Sequence, residues 1–213
     1  EAIVAYNKAL SIKPDYAEGY NNLGNSLKSL GKLNEALEAY NQALSIKSDY
    51  TEAHYNMGNA LQEQGNFEEA IEAYKKVISI NPDYVGAYFN MGTALQEQGK
   101  LEEAIEAHKK AILIKPDYVE AYFNAGLGLQ DQGKLDEAIE AYNKALLLKP
   151  EFAEAHRNLS SMIKYTSDNF HLKQVEKLYK ESGLSYDAKC HLSFTLAKMY
   201  EDIGNLDQAF NHL

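Results

Sequence analysis

Histidine and cysteine are the residues of this sequence whose side chains could bind a metal or act as a catalytic nucleophile or base. The chain contains one cysteine, Cys190, and six histidines: His54, His108, His156, His171, His191 and His212. A metal site on a helix needs two histidines four residues apart or a cysteine cluster, and the sequence has neither. The lone cysteine has no activating neighbour and is expected to be a buried structural thiol. We therefore predict no catalytic residue, no metal ligand and no cofactor, and a chain that is not itself an enzyme.

Asparagine offers a different chemistry, because it recurs every 34 residues. The column consists of Asn22, Asn56, Asn90, Asn124 and Asn158. An amide side chain carries hydrogen-bond donors and an acceptor, so a ladder of amides can hold the backbone of an extended peptide without selecting its side chains. The alternative is that each amide bonds a neighbouring helix. Which role applies depends on the elements that carry the column.

Glycine, alanine and proline follow the same period, which indicates a repeat architecture. The copies are Gly24, Gly58, Gly92 and Gly126; Gly31, Gly65, Gly99 and Gly133; Ala2, Ala36, Ala70, Ala104 and Ala138; and Pro14, Pro82, Pro116 and Pro150. They divide the chain into a half repeat over 1–16 that holds a second helix only, four regular repeats over 17–152, and degenerate helical repeats over 153–213 that are cut at the C-terminus.

Each regular repeat is predicted to form two amphipathic helices, because apolar residues recur at helical spacing on both sides of Gly31 and its copies. This glycine supplies the left-handed residue that ends the first helix. Proline ends the second helix, and the acidic residue after it is expected to cap the next helix in a capping box with Glu18, Glu52, Glu120 or Glu154. A glycine within a helix, as at Gly24, indicates a close approach of another element, for which we expect Ala36 and its copies.

The degenerate region is expected to contain a first helix over 153–165, a cap over 166–168, a second helix over about 170–181 and a further hairpin. Three histidines, His54, His108 and His156, stand where other repeats carry an aromatic residue, and we interpret them as structural. Helix-surface ion pairs are expected between Glu72 and Lys76 and between Glu106 and Lys110.

The chain resembles tetratricopeptide-repeat proteins in the motif residues of its repeats, which in one repeat are Tyr88, Met91, Gly92, Leu95, Ala104, His108, Ala111 and Pro116. The resemblance implies an all-α solenoid of helical hairpins, wound into a right-handed superhelix whose first helices line a concave groove. The segment 156–213 also resembles the part after the repeats in bacterial tetratricopeptide sulfotransferase-like proteins. The asparagine column is similar to that of the repeat arm of the O-linked N-acetylglucosamine transferase.

The candidate peptide-binding residues lie on the predicted concave face, opposite the apolar stripe of the first helices. The set is Asn22, Asn56, Asn59, Asn90, Asn124 and Asn158; Tyr55, Phe89 and Phe123; and Glu63, Glu97 and Asp131. The aromatic members could anchor a ligand, although packing between repeats is the favoured role. The acidic members make the middle of the groove acidic, whereas Lys28, Arg157 and Lys164 place positive charge at its ends.

Composition limits the partners. The chain has 31 acidic and 21 basic residues, for a net charge of -10, which argues against nucleic acid as a ligand. It lacks the roughly 18 uninterrupted apolar residues of a membrane helix, so we expect no membrane partner and a cytoplasmic location. The leading interpretation is a non-catalytic module that binds an extended peptide or protein segment in the groove. The alternatives are the substrate-recruiting arm of a larger glycosyltransferase or sulfotransferase, and a scaffold that self-associates.

Overall fold

The computed structural model describes residues 1–212 and contains thirteen α-helices in that range. The chain forms two compact units, Glu1–Pro116 and Asp117–Leu213. The first unit contains α1 (Ala2–Ile12), α2 (Ala17–Lys28), α3 (Leu33–Ile46), α4 (Thr51–Glu63), α5 (Phe67–Ile80), α6 (Val85–Glu97) and α7 (Leu101–Ile114). The second contains α8 (Val119–Asp131), α9 (Leu135–Leu148), α10 (Ala153–Met162), α11 (Phe170–Tyr179), α12 (Tyr186–Asp202) and α13 (Leu206–Asn211). The predicted all-α solenoid of helical hairpins is confirmed.

The helices of the first unit pack as successive hairpins. α2 packs on α3, α4 on α5 and α6 on α7, while α3 also contacts α4 and α5 contacts α6. The first helices of these hairpins, which we call the A helices, touch in order from α2 through α4 to α6. Because adjacent A helices lie side by side, their exposed sides form one shared surface. The second helices, α3, α5 and α7, are called the B helices.

Each hairpin turns at a glycine in the left-handed conformation, as predicted. Gly31, Gly65 and Gly99 have φ of 72°, 79° and 73°, and Gly133 in the second unit has φ of 74°. An added Cβ would meet nothing within 4 Å at these positions, so backbone conformation and not space selects glycine there.

The expected acidic caps are wrong, because an aromatic residue occupies the N-cap of each A helix. Tyr50 and Tyr84 are the N-caps of α4 and α6, and neither helix has a side-chain cap. The Tyr84 N–H donates to the Asn81 carbonyl at 3.2 Å, so Pro82 and Asp83 form the middle of a turn that ends on the tyrosine. The turn places the acidic residue one position too early to cap the helix.

The glycine inside each A helix approaches a ring of the B helix and not a small residue, so the expected pairing with Ala36 and its copies is wrong. A Cβ added at Gly24 would lie 2.5 Å from Tyr40, and one added at Gly58 would lie 2.7 Å from Tyr74. The rings of Tyr40 and Tyr74 are completely buried at these positions. The glycine therefore makes room for an aromatic side chain that fills the hairpin.

The second unit begins with the hairpin α8–α9 and continues into the degenerate region, where α10 packs on α12 and α11 also contacts α12. A core of Leu172, Val175, Leu192, Leu196 and Met199 joins α11 to α12. The second helix predicted over about 170–181 is present as α11. Its cap is Asn169, whose side chain accepts from the His171 N–H at 2.8 Å, in place of the expected 166–168 segment.

Cys190 is exposed, which corrects the expectation of a buried thiol. It lies two residues before Leu192, and a shift of about 200° around a helix places it on the side opposite the core stripe. Among residues 1–212, no group of three or more acidic, histidine or cysteine side chains is arranged to hold a metal ion. Over the same range, no helix combines the length and the apolar character that crossing a bilayer requires.

Candidate peptide-binding surface

The exposed side of the A helices in the first unit carries the predicted polar residues. We call this surface the A-helix face and define it by Asn22, Asn56, Asn59, Asn90, Glu63 and Glu97. The four asparagines are half-buried and the two glutamates are exposed. Since α2, α4 and α6 contact one another in order, the asparagine column crosses neighbouring helices without interruption.

Two amides of the column donate to the preceding repeat. Asn56 Nδ2 donates to the Oδ1 of buried Asn21 at 3.0 Å. Asn90 Nδ2 donates to Asn59 Oδ1 at 2.8 Å and to the Tyr55 hydroxyl at 3.0 Å. These bonds fix which way each amide is turned. Within the described residues no hydrogen bond reaches the Oδ1 of Asn56 or of Asn90, so both carbonyls keep their capacity to accept.

A second polar network, absent from the predictions, lies beneath the column. The Tyr74 hydroxyl lies 2.9 Å from both Asn59 Oδ1 and Gln62 Oε1, so its one hydrogen has two acceptors within reach. The Tyr40 hydroxyl donates to Asn25 Oδ1 at 2.8 Å. Burial and the negative charge of Glu63 raise the pKa of Tyr40 to about 12, so this phenol stays protonated and continues to donate. The sequence contains an indication of this network, because a tyrosine on the B helix and an asparagine on the A helix recur together in successive repeats.

The predicted aromatic residues pack within their own units. The Tyr55 ring centroid lies 4.9 Å from Tyr84 and 6.0 Å from Tyr74, and Phe89 lies 5.5 Å from His108. In the second unit, Phe123 lies 4.8 Å from Phe152 and 5.7 Å from Tyr142. Tyr55 and Phe123 each contact a ring at the start of the following repeat, which is the packing favoured from the sequence, and the contact of Phe89 with His108 lies within its own hairpin.

Charge on the A-helix face is partly neutralised. Lys28 Nζ lies 3.0 Å from a carboxylate oxygen of Glu63, so these two residues form an ion pair between α2 and α4. Glu97 on α6 is exposed and makes no ion pair with any described residue. The negative charge of the face is therefore concentrated on α6.

The helix-surface ion pairs differ from those expected. Glu72 pairs with Lys75 at 2.8 Å, and Glu106 pairs with Lys109 at 3.8 Å. The expected partners, Lys76 and Lys110, instead line apolar grooves beside the same helices. On a helix, lysines three and four residues after a glutamate are both within reach of its carboxylate. In this structure the lysine three residues away makes the ion pair in both cases.

The second unit carries the remaining predicted residues. Asn158 Nδ2 lies 3.5 Å from the Tyr142 hydroxyl, which itself donates to Gln130 at 2.9 Å. Asn124 is half-buried and Asp131 is exposed. The Arg157 guanidinium lies 4.9 Å from the centre of the Phe194 ring.

The buried histidines are structural, as interpreted from the sequence. His108 is completely buried, and its Nε2 contacts Gln96 Oε1 at 3.1 Å, so Nε2 carries the hydrogen. Burial lowers its pKa to about 4, which keeps the ring neutral. His156 is completely buried in the second unit, where burial also lowers its pKa. Neither ring is free to act as a base toward a ligand.

Sequence and structure comparisons agree with this architecture. A family model described as TPR repeat matches residues 1–31, 24–65, 58–99, 92–133 and 126–160. The crystal structure of MamA is 32% identical, with 71% of this chain and 88% of that chain covered and a TM-score of 0.68. A search of proteins with curated descriptions finds no significant match.

Two further solved structures, each under 25% identical, are similar in fold alone. One is YrrB, described as a TPR protein with an unusual peptide-binding site, at 22% identity, a TM-score of 0.68, and coverage of 97% of this chain and 96% of that chain. The other is PilF of Pseudomonas aeruginosa, at 21% identity, a TM-score of 0.70, and coverage of 92% and 88%.

Proposed function

Since the chain belongs to the tetratricopeptide-repeat (TPR) family, we propose that it is a non-catalytic interaction module that binds an extended peptide or protein segment on its A-helix face. The observation that carries this proposal is the pair of amide carbonyls with no partner, on Asn56 and Asn90. Each amide is held in one orientation by its bonds to the preceding repeat. An acceptor fixed in advance loses little conformational freedom when a ligand binds.

The chemistry of the face favours a ligand that presents backbone N–H groups. Two acceptors on successive A helices match the N–H groups along an extended segment, and such bonds do not depend on its side chains. The unpaired Glu97 adds a preference for a basic residue next to the α6 end of that segment. The description of YrrB as a protein with a peptide-binding site is consistent with a peptide ligand for this fold.

The first test is a peptide-array screen that compares the native chain with a variant in which three column asparagines are replaced by alanine, at Asn56, Asn90 and Asn124. We expect the variant to lose about tenfold or more in affinity for the captured peptides, as the removal of central interface contacts does in other complexes. Fluorescence anisotropy with one captured peptide measures the change.

The matched control is Tyr55→Phe. It removes the hydroxyl that accepts from Asn90 while leaving the Asn90 amide in place, so it weakens the link between repeats without removing an acceptor from the face. We expect it to bind peptides as the native chain does. If Tyr55→Phe and the triple variant lose affinity equally, the asparagines act through repeat packing and not through ligand contact.

Self-association is a second candidate function, favoured by apolar side chains exposed near the end of the second unit. Leu206 and Phe210 on α13 are 67% and 78% exposed, whereas Ile71 and Ile105, which stand at the Phe210 position of earlier repeats, are 4% exposed. Light scattering over a concentration range tests this function. A molar mass that rises with concentration in the native chain, and stays constant in Phe210→Ser, would support it, while a constant monomer mass in both would exclude it.

The recruiting arm of a larger glycosyltransferase or sulfotransferase stays a hypothesis. The matched family is a repeat family, and the binding proposed for the A-helix face is compatible with such an arm. Identification of the captured peptides as acceptor substrates for one of these reactions would support it.

A further inference from the structure

Two apolar grooves lie beside the B helices of the first unit, away from the A-helix face. One, with a volume of about 430 Å³, is floored by Met57, Leu61 and Ala73. The other, of about 370 Å³, has Met91, Leu95 and Ala107 at the equivalent positions and is also lined by Ile71 and Tyr88. Neither groove is lined by a residue that defines the A-helix face. Their surfaces are predominantly apolar, which is the property of a site that accepts hydrophobic side chains.

The grooves occupy the same position in successive repeats. Each floor residue of the first groove has its counterpart 34 residues later in the second, as Met57 does in Met91 and Leu61 in Leu95. The two cavities therefore present the same chemistry twice, one repeat apart. A partner with one apolar side chain that fits the first groove can fill both grooves if it carries a second, similar side chain.

Acidic side chains form the same edge of both grooves. Glu68 and Glu69 stand at the start of α5, and Glu102 and Glu103 at the start of α7; all four are exposed. No ion pair to any of these four carboxylates is present among residues 1–212. The nearby Glu72 and Glu106 are paired with lysines of their own helices. Lysines also line the grooves, Lys76 in the first and Lys75 and Lys110 in the second, but carboxylates outnumber ammonium groups in both linings and the unpaired carboxylates lie on the first turns.

We propose that these paired grooves are a second docking surface, whose occupant is a cationic protein segment with large apolar side chains. The apolar side chains enter the two floors, and the basic residues face the carboxylates at the starts of α5 and α7. This arrangement combines burial of apolar area with charge complementarity, the pairing that gives protein interfaces both stability and partner selection. The surface is separate from the one assigned to the asparagine column.

The size of the grooves limits what enters them. Each volume is near the lower end of the range of small-molecule pockets. One groove therefore accepts a side chain or two, and binding of useful strength requires both grooves together. The required partner is a segment with at least two anchors and not a single small ligand.

The test uses the full chain and a fluorescein-labelled peptide of alternating leucine and lysine with glycine–serine spacers, followed by fluorescence anisotropy at low salt. The test variant replaces four unpaired carboxylates, as Glu68→Gln, Glu69→Gln, Glu102→Gln and Glu103→Gln. We expect its affinity for the probe to fall about tenfold, since each exposed charge contact contributes modestly. Replacing the leucines of the probe with serine is expected to weaken binding by at least as much.

The matched control makes the same change in net charge elsewhere on the first unit, with Glu18→Gln, Glu38→Gln, Asp49→Asn and Asp83→Asn, all exposed positions that line neither the grooves nor the A-helix face. We expect less than a twofold effect, and circular dichroism checks that both variants are folded. Equal losses in the two variants would overturn the proposal, because net charge alone would then attract the probe. Unchanged binding of the serine probe, or loss of binding in Asn56→Ala with Asn90→Ala, would also overturn it.

Discussion

Replacing Gly92 with leucine is expected to disrupt the central hairpin of the first unit and to divide its unfolding into two steps. A Cβ at this position would lie 2.6 Å from Cε1 of His108 and 2.8 Å from both ring nitrogens. The ring is completely buried between α6 and α7 and cannot move aside without opening the hairpin. We expect a loss of roughly 3 kcal/mol or more in the free energy of unfolding. Because each repeat contacts only its neighbours, a damaged central hairpin uncouples the repeats on either side.

Urea denaturation followed by circular dichroism measures this effect, with Gly99→Asn as the control. Gly99 has a left-handed backbone and open space around it, and asparagine tolerates that conformation, so the control is expected to cost little. Combining Gly92→Leu with His108→Ala is expected to cost less than the sum of the two single changes, because the leucine occupies space that the ring vacates. A single, unshifted transition in Gly92→Leu would show that the hairpin does not depend on this close approach.

Acid is expected to destabilise the second unit through three side chains bonded in series. The Tyr165 hydroxyl donates to His171 Nδ1 at 2.8 Å, and His171 Nε2 contacts His156 Nδ1 at 2.7 Å. His156 Nε2 contacts the Pro150 carbonyl at 2.7 Å. The carbonyl can only accept, so His156 carries its hydrogen on Nε2, and its Nδ1 accepts from His171. In this arrangement both rings are neutral.

The pKa values set the direction of this effect. Burial, together with the neighbouring His156, lowers the pKa of His171 to about 3, and burial lowers that of His156. Unfolded histidine has a pKa near 6.5, so below that pH the unfolded chain binds protons that the folded chain excludes. The stability contributed by the network is complete above about pH 6.5 and is lost as the pH falls. Through His171 alone, the free energy of unfolding is expected to fall by up to about 3 kcal/mol between pH 6.5 and pH 4.5.

Charged groups next to the network bear on the same titration. Asp202 accepts from the Tyr165 N–H at 3.1 Å and pairs with Lys198, whose ammonium lies 5.7 Å from the centre of the Tyr165 ring. Burial acts to raise the pKa of Asp202, but the Lys198 ammonium and the Tyr165 N–H together stabilise the ionised carboxylate more strongly, so the pKa is lowered. Asp202 therefore stays charged over the range in which the histidines respond.

The measurement is the free energy of unfolding of the second unit's transition at pH 7 and at pH 5, in the native chain and in His171→Gln. The glutamine variant is expected to be less stable at pH 7 and to lose less on acidification, since one proton-excluding ring is gone. His191→Gln, which removes a histidine outside the network, is the control and is expected to keep the native pH dependence. Equal pH dependence in the native chain and His171→Gln would contradict the role of the network.

The repeat, its helices and its glycine turns could be predicted from the amino-acid sequence alone. The 34-residue period located every hairpin of 17–152, because each glycine with positive φ and each aromatic residue under an A helix serves a local backbone or packing requirement that recurs with the motif. The structural role of the buried histidines followed from the same register, since His108 and His156 replace rings at packed positions. These features depend on one turn of chain and were readable in advance, whereas the helix N-caps were not, because the turn through Pro82 and Asp83 places Tyr84 at the N-cap.

The contacts between side chains of different helices could not be predicted in this way. The period places Gly24 on one helix and both Ala36 and Tyr40 on the next, and only the depth and rotation of the packed hairpin select the tyrosine. Tertiary packing likewise selects the Asn56 bond to Asn21 and the hydrogen-bonded series from Tyr165 to Pro150. Helical spacing fixes the side of a helix on which a residue lies, but not which neighbour comes within 3 Å of it. That distance depends on how all the side chains of an interface fill its volume together.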